Sequence, residues 1–188
     1  MTADSKLALF LMLGQSASRT VGQLEDVAPP DALMLSAAFD LAPSMPDAVR
    51  RATRAAYAYK LFFVFETYLR EFVVEVLSRD VTTTWWDKLP ADTRGEIERL
   101  EDTEETKSWM ALGSRDKSAL MTYPQLLHVM DQCWKLGFDE LVRDKALILE
   151  ARMISHLRNT ICHMTAIPEE EVNRIRQVMR DWFRVIAP

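Results

Sequence analysis

The stretch FETYLREFVVEVL, residues 65–77, decides the fold class of this chain. Its large apolar residues recur at steps of three and four, which is the spacing of one face of an α-helix. The pattern continues upstream and predicts one long core helix over residues 45–78. The apolar positions of this helix are Leu61, Phe62, Phe65, Leu69, Phe72, Val73 and Val76. Glu66 and Arg70 lie four residues apart, so an ion pair between them is predicted on the surface of the helix.

Turn and cap residues elsewhere in the chain also favour helices. There are only five Gly, and no hairpin dipeptide such as Asn-Gly separates two alternating segments. Proline, glycine and polar residues mark the ends of further predicted helices. These helices cover about residues 32–41, 122–137, 139–164 and 168–186, and the acidic segment over residues 92–105 is predicted to form one or two short exposed helices. Long antiparallel helices joined by short links form a bundle, so the predicted fold is an all-α antiparallel bundle of four to five long helices.

Residues 1–45 precede the predicted bundle as a helical extension. The apolar run LALFLML, residues 7–13, has the outline of a secretory signal, but it is short and Asp4 offsets Lys6. It is also far shorter than the about 20 residues that a membrane-spanning helix needs. We therefore predict that the extension packs on the domain, and that the domain itself covers residues 46–188.

Composition limits the class of protein and its surroundings. With 188 residues, 48% of them apolar, the chain can bury a sizeable core as one compact domain and needs no cofactor to fold. Cys133 and Cys162 form no CxxC motif, so no disulfide framework or zinc site is predicted, and a reducing cytoplasm is the expected setting. The net charge of −5 argues against a generally basic nucleic-acid coat. Residues 80–131 hold six Lys/Arg against eleven Asp/Glu, whereas residues 143–188 hold eight against six, so a locally basic site is possible.

One segment, HLRNTICH at residues 156–163, carries polar residues inside a helix that otherwise has a core pattern. At about 100° per residue, a single straight helix over residues 139–164 has an apolar stripe that faces the core. The residues of that stripe are Met153, Ile154, Leu157, Ile161 and Met164. A polar line lies on the opposite face and consists of Arg152, His156, Asn159 and His163. Arg158 falls to one side, about 140° from His163, so two copies of the helix about a two-fold axis would bring these side chains into one cleft.

The run RNTICH, residues 158–163, resembles the Arg-polar-x-x-x-His signature of the HEPN superfamily, the higher eukaryotes and prokaryotes nucleotide-binding domains. The long helix with FETYLREFVVEVL and the proline-led, acid-rich helix after the motif are similar to this family as well. The resemblance covers roughly residues 50–188 and implies an HEPN-like antiparallel helical bundle. One departure is Thr165, because some toxin members of the superfamily have Tyr at this position. Regulation by modification of that tyrosine is therefore not implied.

The resemblance implies a metal-independent endoribonuclease that works without a cofactor, as a homodimer through the motif helix. Arg158 would clamp the phosphate, His163 would act as acid and base, and Asn159 would orient the imidazole or the phosphate. Arg152 and His156 would contact RNA phosphates on either side. Single-stranded RNA would be cut to 2′,3′-cyclic phosphate and 5′-hydroxyl ends. A toxin or phage-defence role with an antitoxin or regulatory partner would fit such an enzyme, and no membrane is implied.

Plainer interpretations of the same residues stay open. A histidine at a helix C-terminus can bond the last carbonyls and interact with the helix dipole, which would explain His163 without catalysis. Arg158 could pair with an acid on a neighbouring helix, and Asn159 could be a satisfied polar group. Arg152 and His156 could belong to a solvated helix face. The motif would then lie in a non-catalytic HEPN-like module that binds a nucleotide, RNA or a protein, or in a plain helical scaffold.

Overall fold

The computed structural model describes residues 3–27, 30–105 and 116–186. The regular elements within these ranges are helices and one two-stranded hairpin, which confirms the all-α class. The helices are α1 (Ala3–Val27), α2 (Pro46–Ser78), α3 (Ala91–Glu105), α4 (Tyr123–Gln132), α5 (Phe138–Val142), α6 (Ala146–Met153), α7 (Ser155–Cys162) and α8 (Glu169–Ile186). Two short 3-10 turns, Lys117–Leu120 and Trp134–Leu136, precede and follow α4. None of the helices in the described ranges is long and apolar enough to cross a membrane.

The chain divides into two compact units, Met1–Arg54 and Ala55–Pro188. The first unit contains α1, the hairpin and the first turns of α2. The hairpin pairs β1 (Met34–Ser36) with β2 (Phe39–Asp40) in antiparallel order. It occupies the segment in which the sequence predicts a short helix over residues 32–41, so that prediction is wrong.

The Asp40 carboxylate holds this segment as a hairpin. Its Oδ1 accepts hydrogen bonds from the backbone N–H of Leu33 at 2.8 Å and of Ala42 at 2.9 Å. Asp side chains that bond nearby backbone N–H groups offer the chain an alternative to the helical hydrogen-bond ladder. A helix over this segment would lose both bonds. The packing of residues 1–45 on the rest of the chain stays a prediction.

The second unit is built around α2. Six of its seven predicted apolar positions are buried, and Leu61 is half-buried. The fully buried ring of Phe65 lies edge-on to Trp182 of α8, with ring centroids 5.8 Å apart, and tilted against Tyr123 of α4 at 6.0 Å. Burying a side chain of this size contributes about 1.5–3 kcal/mol, and an edge-on pair adds about 0.5–1.5 kcal/mol. The packing of α4 and α8 is therefore set by their contacts with α2.

The predicted continuous helix over residues 139–164 is wrong. The segment consists of α5, α6 and α7, which are interrupted at Arg143 and again at Ile154. Arg143 has φ 62°, in the left-handed region, and the carboxylate of Asp144 accepts the N–H of Ala146 at 2.8 Å where α6 begins. The break at Ile154 is milder, with φ −90° and ψ 0°. Each break changes the direction in which the following side chains point.

The apolar stripe predicted for the motif helix is partly wrong for the same reason. Ile154, Leu157 and Ile161 are buried as predicted. Met153 and Met164 are not, because 63% and 92% of their surface is exposed. Met164 has φ 59° and lies beyond the end of α7, where helical projection no longer applies. The core face of this segment is narrower than a straight helix would give.

Candidate functional site

The motif residues fall on two sides of α7. At about 100° per residue, Cys162 lies about 40° from Arg158 and Ile161 about 60° from it, so these three residues share a side. His163 lies about 140° from Arg158 but only about 40° from Asn159. The helix break precedes all five positions, and His163, the residue directly after α7, still donates its backbone N–H to Asn159 O as in a helical turn, so the relation holds up to His163.

The Arg158 side of α7 faces α2 across a pocket of about 210 Å³. The pocket residues from α2 are Tyr59, Phe62, Phe63, Glu66, Thr67 and Arg70. The pocket residues from α7 are Arg158, Ile161 and Cys162. Because the α2 positions recur at steps of three and four, the pocket follows one face of that helix. A concave site with aromatic walls and a few converging charged groups is the usual form of a ligand site.

One carboxylate joins two arginines at the wall of this pocket. Glu66 Oε2 accepts a hydrogen bond from Arg158 Nε at 3.2 Å, and Glu66 Oε1 accepts one from Arg70 Nη2 at 3.3 Å. Arg70 Nη2 also donates to the backbone oxygen of Met121 at 3.3 Å, which ties α2 to the segment before α4. We call Glu66, Arg70 and Arg158 the Glu66 cluster. Two guanidinium groups against one carboxylate leave this cluster with a net positive charge.

The Glu66 cluster is sheltered from solvent. The exposed fraction of the side chain is 14% for Glu66, 21% for Arg70 and 27% for Arg158. Ion pairs with this much shelter are screened by salt less than pairs on the open surface. The Glu66–Arg70 pair predicted from the sequence is confirmed, although it lines a pocket and does not lie on open surface. Arg158 pairs with Glu66 of α2, so the interpretation of Arg158 as a salt-bridge partner of a neighbouring helix has its acid.

Glu66 holds Arg158 by one edge of the guanidinium group. The bond uses Nε, and in the described part of the chain no group accepts a hydrogen bond from either Nη of Arg158. The planar fork of guanidinium donors matches two oxygens of a phosphate. Arg158 therefore keeps donors for a phosphate while Glu66 restricts the orientation of its side chain.

Tyr123 lies in the core, near enough to Glu66 for the charge of that carboxylate to act on it. Its ring is fully buried, and its hydroxyl donates to the backbone oxygen of Ala151 at 2.8 Å. Burial, and to a lesser degree the negative charge of Glu66, raise the pKa of Tyr123 well above its usual range. The phenol therefore stays neutral and serves as a donor that joins α4 to α6, the helix that leads into α7.

His163 lies on the other side of α7, at its C-terminal end. Its backbone N–H donates to the backbone oxygen of Asn159 at 3.0 Å and closes the last turn. The side chain is exposed, and among the described residues none forms a hydrogen bond or ion pair with the imidazole. His163 does not line the pocket that Arg158 lines. The structure therefore does not bring these two residues together at one pocket within a single copy of the chain.

The other predicted site residues are also dispersed. Asn159 is exposed on the side of α7 away from the pocket. His156 is exposed, and its Nδ1 donates to the backbone oxygen of Met153 at 2.8 Å. Arg152 belongs to α6, and its Nη2 donates to the carboxylate of Asp131 at 3.0 Å. The polar line predicted for one straight helix is therefore interrupted at the break between α6 and α7.

Asp131 is the structural partner of Arg152. Lys145 Nζ donates to Asp131 Oδ1 at 2.7 Å, and Arg152 Nη2 donates to Oδ2. These bonds, the one from Lys145 first, hold the pKa of Asp131 below its usual range. A role for Arg152 in binding RNA stays a prediction.

Tyr59 and Phe63 line the pocket but were not predicted from the sequence as site residues. Their side chains are 53% and 60% exposed, although large aromatic side chains are mostly buried. A sequence signal for them exists, because residues 59, 63, 66 and 70 follow one another at steps of four, three and four. This spacing places the two rings on the same face of α2 as Glu66 and Arg70.

Both cysteines are free thiols, and they differ in burial. Cys133 is a buried free thiol, and Cys162 is an exposed free thiol in the wall of the pocket. Over residues 3–27, 30–105 and 116–186, no three His, Cys, Asp or Glu side chains lie close enough together to hold a metal ion.

Fold and site together define an all-α domain in which an arginine beside a charged pocket is followed five residues later by an exposed histidine. The comparison with known protein families matches residues 60–187 to the family described as Swt1-like HEPN. This range is more than half of the chain, and the chain belongs to that family. No curated protein and no solved structure matched the chain. The predicted membership of the HEPN superfamily is confirmed, and it places the chain among domains of the RNA-binding or nuclease kind.

Proposed function

We propose that this protein is a metal-independent endoribonuclease that cleaves single-stranded RNA as a homodimer. Arg158 binds the scissile phosphate, His163 transfers the proton, and Asn159 orients the imidazole. The products are a 2′,3′-cyclic phosphate and a 5′-hydroxyl. Membership of the Swt1-like HEPN family supports the class of activity. The proposal rests mainly on one observation. Glu66 holds the Arg158 guanidinium at the pocket through Nε, which leaves both Nη groups of Arg158 to donate to a phosphate.

Arg158 is suited to stabilise the reacting phosphate. Negative charge builds on the phosphoryl oxygens as the 2′-oxygen attacks, so a cation already oriented toward them lowers the barrier. Glu66 supplies that orientation through its hydrogen bond to Nε. In enzymes that use such donors, removing one costs about 100- to 1,000-fold in rate.

His163 supplies the proton transfer. An exposed imidazole can accept the proton of the 2′-hydroxyl near neutral pH. The 2′-oxygen then bonds to phosphorus, the bond from phosphorus to the 5′-oxygen breaks, and a proton is returned to that oxygen as it leaves. The same imidazole, protonated in the first transfer, can supply that proton. The reaction is a transesterification: one phosphorus–oxygen bond forms and another breaks, so neither water nor an oxidant is consumed.

The angle between the two residues supports the homodimer. In one copy, Arg158 and His163 start about 140° apart on α7, and only Arg158 lines the pocket. Two α7 helices packed about a two-fold axis place Arg158 of one copy beside His163 of the other. In such a dimer, Arg152 and His156 contact the phosphates on either side of the scissile one.

Cleavage of single-stranded RNA by the purified full chain in EDTA tests the activity. His163→Ala is expected to lower the rate by about 100-fold or more, since general acid–base groups contribute about 10²–10⁴-fold. His128→Ala is the matched control, because this histidine of α4 is half-buried, lies outside the pocket and pairs with Asp92 at 3.1 Å. It is expected to keep wild-type activity. Full activity of His163→Ala, or activity that EDTA abolishes, would contradict the proposal.

Mixing two inactive variants tests whether the site is shared. Arg158→Ala and His163→Ala homodimers are each expected to be inactive. After subunit exchange, half of the dimers are mixed, and each mixed dimer keeps one intact Arg158–His163 pair out of two. Activity is then expected to return to about a quarter of wild type. A site contained in one copy gives no recovery, because every copy in the mixture lacks one of the two residues.

A toxin or phage-defence role, restrained by an antitoxin or regulatory protein, is the biological part of the proposal. Expression of the wild-type chain in a bacterial host is expected to arrest growth, whereas His163→Ala is expected to be tolerated. Arrest of growth by both proteins would point to a cause other than RNA cleavage.

The Glu66 cluster favours a second candidate function, a non-catalytic HEPN-like module that binds a nucleotide, RNA or a protein. The Arg158 side chain is only 27% exposed and pairs with Glu66, so a structural role accounts for this arginine without catalysis. In that case a nucleotide stabilises the chain and no RNA is cut. A ligand at 100 times its Kd contributes about 2.7 kcal/mol, which raises the Tm by about 5–11 °C in a chain of this size. This shift without cleavage across a broad set of RNAs would favour the second candidate over the first.

A further inference from the structure

We propose that the pocket between α2 and α7 is a subsite for one nucleobase of the RNA, which stacks on Phe63 and Tyr59. Arg158 holds the phosphate of the same nucleotide, and the Arg70 guanidinium adds positive charge beside it. The choice of RNA as the ligand rests on the proposed function. The aromatic and cationic walls of the pocket are observed independently of it.

Two aromatic rings stand exposed at this pocket. Tyr59 and Phe63 lie one turn apart on α2, with ring centroids 6.2 Å apart and ring planes 34° from each other. More than half of the surface of each of these residues is exposed, so a ligand in the pocket can reach both rings. Proteins that bind single-stranded nucleic acids stack bases on such rings, and the stacking tolerates any base because every base has a π-face.

The polar groups of the pocket match the rest of a nucleotide. The Glu66 cluster contributes a net positive charge, so an anionic ligand is favoured at this wall. The hydroxyls of Thr67 and Tyr59 lie on the same face of α2 and can donate to, or accept from, the edge of a base. A second apolar protein surface would cover the rings but leave the excess positive charge of the Glu66 cluster unbalanced. A ligand that is both planar and anionic satisfies both features of the pocket.

The size of the pocket limits the occupant to one base. Its volume of about 210 Å³ is below the about 300–1,000 Å³ of pockets that enclose a whole drug-sized ligand. The base therefore enters, while the sugar and phosphate stay at the rim beside the guanidinium groups. A base held here sets the position of the strand relative to Arg158. The subsite would thus choose which phosphate is cut.

Binding of RNA hexamers to the full-length His163→Ala chain tests the subsite without cleavage. Phe63→Leu keeps an apolar side chain but removes the π-face, and it is expected to weaken binding by about tenfold or more. Phe63→Trp keeps the π-face and is expected to retain most of the affinity. Val64→Ala is the matched control, because this neighbouring side chain is 48% exposed but does not line the pocket. It is expected to leave the affinity unchanged.

An abasic scan links Phe63 to a base. Each position of the hexamer is replaced in turn by an abasic nucleotide, and binding is measured with and without Phe63→Leu. At one position the missing base is expected to weaken binding, and Phe63→Leu is expected to add no further loss there. Such non-additivity shows that the ring and that base interact directly.

The results separate this proposal from the nuclease proposal. Unchanged affinity on Phe63→Leu, or no binding of any hexamer, overturns the subsite. The subsite is also overturned if the losses of affinity from Phe63→Leu and from the abasic nucleotide add at every position, and if the Phe63→Leu variant dissociates into monomers in sedimentation. The Phe63 ring would then contact a second copy of the chain and not a base. If RNA binds through Phe63 but the wild-type chain does not cut it, the subsite stands and the nuclease proposal fails. If RNA is cut without any dependence on Phe63, the nuclease proposal stands and the subsite fails.

Discussion

Replacing Glu66 by Gln removes the charge that holds Arg158 and Arg70 while keeping the shape of the side chain. An amide has one oxygen that can accept a hydrogen bond and one NH₂ group that cannot. One of the two guanidinium groups would therefore face a donor in place of an acceptor. Both groups are largely sheltered, at 27% and 21% exposed, so water replaces the lost bond only in part.

The expected loss in the free energy of unfolding is about 2 kcal/mol. Exposed ion pairs contribute about 0–1 kcal/mol, hydrogen bonds to charged groups about 1.5–3 kcal/mol, and breaking a fully buried pair costs about 3–5 kcal/mol. The exposed fractions of the Glu66 cluster place it between the first and the last case. Its distances of 3.2 and 3.3 Å exceed the about 2.7–2.9 Å of the strongest charge-assisted bonds, which favours the lower part of the range.

Thermal and urea unfolding followed by circular dichroism would measure this loss. A loss of about 2 kcal/mol lowers the Tm by about 4–8 °C in a chain of this size. Glu75→Gln is the matched control on the same helix, since Glu75 pairs with Arg79 at 3.6 Å with 71% and 48% of the two side chains exposed. An exposed pair at this spacing contributes about 0.3–0.5 kcal/mol, so the Tm of the control is expected to fall by no more than about 2 °C.

Equal stability of the Glu66→Gln and Glu75→Gln variants would refute the reasoning, because burial would then have no effect on the contribution of the ion pair to the unfolding free energy. A double variant with Arg158→Met gives an independent check. If Glu66 and Arg158 interact directly, the sum of the two single-variant losses in unfolding free energy should exceed the loss of the double variant by about 0.5 kcal/mol or more. Strict additivity would mean that the hydrogen bond at 3.2 Å contributes no measurable energy.

Two further predictions concern Tyr123, which joins α4 to α6, and Asp131, which pairs with Lys145 and Arg152. Tyr123→Phe leaves the backbone oxygen of Ala151 without its buried donor and is expected to cost about 1–2 kcal/mol in urea unfolding, and an unchanged midpoint would contradict this. Asp131→Asn is expected to cost about 0.5–1 kcal/mol near neutral pH, because two cationic partners lose their carboxylate. The pKa of Asp131 is lowered in the folded state, so its contribution is complete above the unfolded-state pKa of about 3.9 and is lost as the pH falls through the folded-state pKa. The Tm difference between wild type and Asp131→Asn should therefore shrink below about pH 4, and a difference that stays constant down to about pH 2 would be the contrary result.

Local patterns in the sequence were sufficient for the main helices. The prediction of a core helix over residues 45–78 differs from α2, Pro46–Ser78, by one residue at its start. The final helix was predicted from Pro168 and the three acids that follow it, and α8 covers Glu169–Ile186. Both signals are local, because apolar spacing and helix ends depend on residues within a few turns.

The errors arose where a single side chain or a single backbone angle overrides a local pattern. Asp40 holds a hairpin in a segment with helical composition by bonding two backbone N–H groups. Arg143 takes a left-handed φ of 62° within an apolar pattern that continues across it. A periodic sequence does not show where the chain leaves the helix for three residues, as at 143–145, or for one, as at Ile154, and then resumes it. The predicted continuous motif helix therefore became three short helices.

The sequence by itself determined the all-α class, the core face of α2 and the resemblance of the segment around Arg158 and His163 to the HEPN signature. It also placed these two residues about 140° apart, since both belong to one helical segment. Only the tertiary structure decided that Glu66 holds Arg158 at the wall of a pocket with two exposed aromatic rings. Glu66 and Arg158 are separated by 92 residues, so no local pattern connects them. Their contact depends on how α7 packs against α2, which is set by the buried side chains of the whole core.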